Sequence, residues 1–100
     1  MKGEVIDSNI VSGTLVTLNQ RLKYVPKLER ESPGFDPIKL HVPVWQVVNG
    51  KATPYESVPT GSLATVIDRY VENEVTKLEV LIGGTTYRCY GTHADLVVAR

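Results

Sequence analysis

Three sets of residues in this chain have types that could do chemistry. His41, His93, Cys89, Asp95 and Asp36 carry the donor atoms that metals take. None stands at C-x2-C or H-x3-H spacing, so a centre would have to be assembled from distant positions. The two histidines read as ordinary surface or turn residues, with no metal and no cofactor expected. Asp68 and Glu79 form the second set, paired carboxylates of the kind used in acid/base work. Each lies in a stretch rich in strand formers, where a carboxylate more often meets a cation. No G-x-S-x-G is present, and Gly83-Gly84 has no helix behind it to hold a phosphate. The sequence predicts no catalytic residue and no enzyme.

The third set is the basic stretch QRLKYVPKLER, in which Arg21, Lys23, Lys27 and Arg30 surround Tyr24. Cations beside a ring suit phosphates and bases, so Arg21, Lys23 and Lys27 are candidate phosphate contacts. Residues 21–51 carry six basic side chains against three acidic ones, but Glu29 and Glu31 dilute the field. The chain as a whole balances 11 basic and 11 acidic residues, which removes long-range attraction to nucleic acid. A solvated loop is the favoured reading.

The elements that must position these groups are legible from residue 78 onward. LEVLIGGTTYRCY sets two strand-forming runs about a Gly-Gly pair, the signature of a two-residue hairpin. Counting outward pairs Ile82 with Thr85, Val80 with Tyr87 and Leu78 with Cys89, which share one face. Lys77, Glu79, Leu81, Thr86, Arg88 and Tyr90 take the other, with Glu79 opposite Arg88. The first face is the more apolar and is expected to be buried, so Cys89 reads as a small hydrophobe. Other strand candidates are Gly13–Leu18, residues 38–48 interrupted at Pro43, Leu63–Tyr70 and Leu96–Ala99. One tight helical turn is expected over residues 91–95. Ile67, Tyr70, Val71, Val75, Leu78 and Ile82 also fit a helical spacing. The β-branched residues there and the polar turn Glu72-Asn73-Glu74 favour strand, turn, strand.

One hundred residues make one domain, and one cysteine excludes an internal disulfide. Met1 is followed by charged and polar residues, and no long apolar run occurs. A soluble chain is expected, with no secretory signal and no membrane partner. All six prolines fall between residues 26 and 59, so that stretch is expected to be irregular or built of edge strands and turns.

GTLVTL, PTGSLATVIDRY, KLEVLIGG, TTYRCY and THADLVV follow one another in an order that resembles the SH3-like small barrels. In that family a first strand is followed by a long excursion, a three-stranded meander, a 3-10 turn and a short last strand. The closing HADLVV is particularly similar to small SH3-like proteins encoded by tailed bacteriophages. The resemblance covers residues 13–18 and 59–99. It implies an all-β fold, a single SH3-like barrel domain over 1–100, with residues 19–58 as a β-arm inserted between the first and second barrel strands. The clustered aromatics of peptide-binding SH3 domains are missing, since Trp45 is the only tryptophan. The basic segment of the KOW variant is matched only in part by QRLKY.

The excursion is too apolar to be disordered, and its side chains must be buried on the barrel or on another molecule. The expected function is a non-enzymatic interaction and assembly module, a small structural or accessory protein of a tailed phage. Its partner would be a larger virion or host protein, or a second copy, met in the virion or host cytoplasm. Trp45, Phe35, Val44 and Tyr24 are the expected contact residues, with Trp45 the natural anchor unless it belongs to the core. The alternative is a nucleic-acid-binding KOW-like or host-takeover protein using Arg21, Lys23, Tyr24 and Lys27.

Overall fold

The structure, a computed structural model, describes residues 6–22, 25–53 and 56–97. It is mostly β, as expected. Among the described residues nine strands run in chain order: β1 (Leu15–Leu18), β2 (His41–Val44), β3 (Val47–Val48), β4 (Lys51–Ala52), β5 (Glu56–Pro59), β6 (Ser62–Glu72), β7 (Val75–Ile82), β8 (Thr85–Tyr90) and β9 (Ala94–Leu96). Five of them form one antiparallel sheet in the order β8-β7-β6-β1-β9. The remaining four form two ribbons, β2 with β5 and β3 with β4. Among the described residues the main sheet has two ends, at β8 and β9, and no ladder joins them into a closed barrel.

The β7–β8 hairpin has the register expected from the sequence. Ile82 faces Thr85, Leu78 faces Cys89 and Glu79 faces Arg88. Gly83 and Gly84 both take positive φ, 55° and 85°, which a two-residue turn of this hand demands. Asn73 and Glu74 do the same between β6 and β7, at 51° and 66°. The helical alternative for residues 67–82 is therefore overruled: β-branched residues and a two-residue turn carry two strands.

β6 is the longest strand and serves two neighbours. Its first residues pair with β1, and the segment Thr65–Glu72 pairs with β7. A bulge falls between Val66 and Asp68, where the register shifts. Such an extra residue bends a strand and increases its twist, which turns the two halves of the sheet toward a common interior.

Alternation puts Val16, Leu18, Ala64, Val66, Leu78, Val80 and Cys89 on that inner side, all buried. Val42 and Val44 of β2 complete the same cluster with Ile10 and Ala94. The residues of the excursion nearest the sheet are thus core. Pro43 lies between them without disruption, because β2 belongs to a two-stranded ribbon and one side of it has no continuous ladder to satisfy.

Two sequence expectations are corrected. Residues 38–48 are not one extended run: Pro37–Lys39 form a 3-10 turn, started by Asp36, whose side chain accepts from the Ile38 N–H at 3.1 Å. The closing strand lies earlier than Leu96–Ala99, at Ala94–Leu96, because the 3-10 turn occupies only Gly91–His93. Residues 98–100 lie outside the described residues.

Candidate functional site

The excursion is fastened at its root by polar contacts. The Gly61 N–H donates to the Leu18 carbonyl at 2.7 Å, and the Thr60 N–H to the Leu40 carbonyl at 2.9 Å. The Gln20 N–H donates to Thr60 Oγ1 at 3.0 Å. Arg21 takes part in this fastening. Its Nη2 donates to Asp95 Oδ1 at 2.7 Å and its Nε to the Thr92 carbonyl at 2.8 Å. Asn19 Nδ2 donates to the second Asp95 oxygen at 2.8 Å. These hydrogen bonds hold the Asp95 carboxyl below its usual range, the Arg21 bond most of all. Arg21, expected as a phosphate contact, is thus committed to closing the start of the excursion onto the last turn of the sheet. Lys27 is exposed, and Lys23 and Tyr24 lie outside the described residues.

Further along, Trp45 reaches β8. It forms an isolated antiparallel bridge with Arg88. Its ring packs on Tyr90 with centroids 5.3 Å apart and lies under Lys77 Nζ at 5.5 Å. Lys77 Nζ also stands 6.0 Å from the Tyr90 ring and donates to Glu72 Oε1 at 2.6 Å. That hydrogen bond raises the lysine pKa and lowers the glutamate pKa. Arg88 repeats the arrangement one register step away, 5.4 Å over the Tyr70 ring and 3.5 Å from Glu79. Alternation explains the cluster: Tyr70, Lys77 and Tyr90 face one another across β6, β7 and β8. Cation–ring contacts of this kind contribute about 0.5–1 kcal/mol each where partly exposed.

The structure places two of the expected contact residues inside the fold. Trp45 is only 9% exposed and Val44 is fully buried. Both side chains are spent inside the molecule, because β2 runs under the sheet and Trp45 closes its end. Phe35 is half-buried.

The apolar side chains left in solvent lie elsewhere in the excursion. The helical turn α1 (Lys27–Arg30) has no buried residue, and its Leu28 is 84% exposed. Ile38, in the 3-10 turn, is 77% exposed. A single helical turn is too short to lay one face on a core, so Leu28 points outward; Ile38 follows Pro37 in a turn that also buries nothing. Both residues were visible in the sequence as apolar. What gave no signal was that these two segments are too short to bury them. Beyond Trp45, the β3–β4 ribbon carries Val47 and Val48, both exposed, on a turn at Asn49-Gly50. Between Gln46-Val47 and residues 84–88 runs a shallow cleft of about 360 Å3.

Among the described residues no group of three or more His, Cys, Asp or Glu side chains is placed to hold a metal. Cys89 is buried, and burial pushes its thiol up to about 12. No helix among the described residues is long and apolar enough to cross a membrane. Comparison with family models, curated proteins and solved structures returns no match for this chain.

Proposed function

We propose that this chain is a non-enzymatic interaction and assembly module of SH3-like design, a small structural or accessory protein of a tailed phage. Its excursion docks on a larger virion or host protein. The strand order supports the SH3-like reading: a first strand, a long excursion, a three-stranded meander, a 3-10 turn and a short last strand that pairs with the first. The Trp45–Arg88 bridge adds support, because it draws β2 alongside β8 on the side away from β7. The phage assignment rests on the resemblance of the closing residues.

The observation that carries the docking role is the contrast within the excursion. Val42 and Val44 at its base are in the core, while Leu28 and Ile38 stand in solvent at 84% and 77%. Fully burying a valine contributes about 1.5–3 kcal/mol, so the base is not free to swing. A rigid base that presents aliphatic side chains is pre-organised for binding, since little order is lost when a partner covers them. The nucleic-acid alternative draws less support, because Arg21 would have to leave Asp95.

The test is co-purification from cells expressing the whole set of particle proteins. Wild type is expected to bring down one large partner. Leu28→Ser with Ile38→Ser is expected to lose it at an unchanged melting temperature. An equal yield of partner with the double variant would overturn the docking role.

A further inference from the structure

The outer edge of β8 is only partly paired. Ile82 faces Thr85 across the two-residue turn, so Thr85, Tyr87 and Cys89 direct their backbone groups to β7. Thr86 and Arg88 direct theirs to the other side. Arg88 bonds Trp45 with both groups, at 2.7 and 3.0 Å. Thr86 is exposed, and among the described residues its outward N–H and carbonyl meet no partner. The facing wall has the same arrangement. The Gln46 carbonyl accepts from the Thr53 N–H at 2.7 Å, so Gln46 turns its backbone toward β4, while Trp45 and Val47 turn theirs toward β8. Continuing the antiparallel Trp45–Arg88 bridge would set Val47 against Thr86, yet no hydrogen bond joins them. The cleft of about 360 Å3 between Gln46-Val47 and residues 84–88 opens at that point.

We infer that this cleft takes a lone extended peptide segment of another protein, inserted as a strand between β8 and β3. The unpaired backbone groups select the occupant. Each wall offers one N–H and one carbonyl from a single strand residue, which is what the edge of an antiparallel neighbour bonds. A helix cannot answer them, because its own backbone groups are used along its length. A lone strand has two open edges, so it can bond Thr86 with one and Val47 with the other. A strand already inside a second copy's sheet cannot do this: β8 has β7 on one edge, and β9 has β1. The insertion extends the main sheet through the peptide into the β3–β4 ribbon. Recognition runs through the main chain, so many side chains are tolerated, but proline at a bonded position is not, since it has no N–H. The site uses neither Leu28 nor Ile38 and is independent of the docking segment proposed above.

The experiment follows the backbone amides of the isotope-labelled full chain by NMR during titration with a blocked peptide of alternating threonine and valine, ended by lysines, up to about 5 mM. Threonine and valine favour the extended conformation, and the lysines discourage the peptide from pairing with itself. The Thr86 and Val47 amides should shift together and more than any others. Thr86→Pro removes a donor that has no partner in the free chain, so the melting temperature should stay near wild type while binding weakens at least about tenfold. If that variant folds poorly, N-methylating alternate residues of the peptide tests the same bonds on the wild-type chain. Such a peptide has lost the donors of one edge and should not bind. No shift at Thr86 and Val47, or equal binding of the N-methylated peptide, would overturn the inference, as would shifts confined to residues 27–39.

Discussion

Trp45 and Arg88 are joined by two backbone hydrogen bonds, the Trp45 N–H to the Arg88 carbonyl at 3.0 Å and the Arg88 N–H to the Trp45 carbonyl at 2.7 Å. This exchange ties the excursion to the edge strand of the sheet. It also fixes where the excursion stops being core: Val44, one residue before it, is fully buried, whereas Val47, two residues beyond, is exposed. Trp45 is therefore a structural clamp. Trp45→Ala is expected to cost about 3 kcal/mol or more in urea denaturation, through the lost ring burial against Tyr90 and Lys77. Full wild-type stability, with assembly lost, would return Trp45 to the role of an exposed anchor.

The Asp95 carboxyl gives a pH signature. Its native pKa is lowered, chiefly by the Arg21 hydrogen bond. Such a group adds stability above its unfolded value of about 3.9, and that stability is lost as pH falls through the lowered native value. The Arg21 and Asp95 side chains remain 31% and 46% exposed, so the contribution at neutral pH is about 0.2–1 kcal/mol. Asp95→Asn should melt below wild type at pH 7, and the two curves should converge as the pH falls through the lowered native value. A difference that persists in acid would mean that the charge is not the cause.

Gly91 is held by packing. A Cβ built there would stand 3.2 Å from both Thr76 Cγ2 and the Thr76 carbonyl oxygen, and 3.5 Å from Ile6 Cδ1. Gly91→Ala is expected to destabilise by about 1–3 kcal/mol, with part of the loss recovered by Thr76→Ser, which removes the methyl group. Chemical denaturation of the two single variants and the double variant reads the coupling.

The turn at Asn73-Glu74 places a glutamate at φ 66°. A left-handed conformation strains a residue with a Cβ, and Asn-Gly is the preferred pair in such turns. Glu74→Gly should raise stability by about 0.5 kcal/mol, the relief of strain exceeding the extra freedom of the unfolded chain. A lowered melting temperature would show that the glutamate side chain contributes more than its backbone costs.

Cys89 should be inert. With its thiol pushed up to about 12 by burial, it is expected to ignore a disulfide reagent at pH 8 in the folded protein and to react at once in denaturant. Fast native labelling would mean that the sheet opens at β8.

The sequence made the β6–β7–β8 meander legible for a definite reason. Period-two alternation and two-residue loops fix a register by counting, so the Leu78–Cys89 and Glu79–Arg88 pairs follow without any tertiary information. Long-range relations left no such trace. That Arg21 meets Asp95, 74 residues away, depends on the excursion's root closing on the 3-10 turn. That Pro43 sits in a strand between two buried valines contradicts the local preference of proline, and only an edge position reconciles the two. Which apolar side chains of the excursion are buried is hidden for the same reason. Aromatic character marked Trp45 as an anchor, whereas the shortness of the turns at Leu28 and Ile38 decides which apolar side chains remain in water.

The central claim is that the excursion has a core-bound base and an open, aliphatic docking segment. Hydrogen exchange on the free and assembled protein measures both parts at once. In the free protein the amides of Val42, Val44 and Trp45 should exchange as slowly as those of Leu78 and Val80, and partner binding should add protection over residues 27–39. Fast exchange at 42–45 in the free protein, or new protection confined to other segments, would contradict the account.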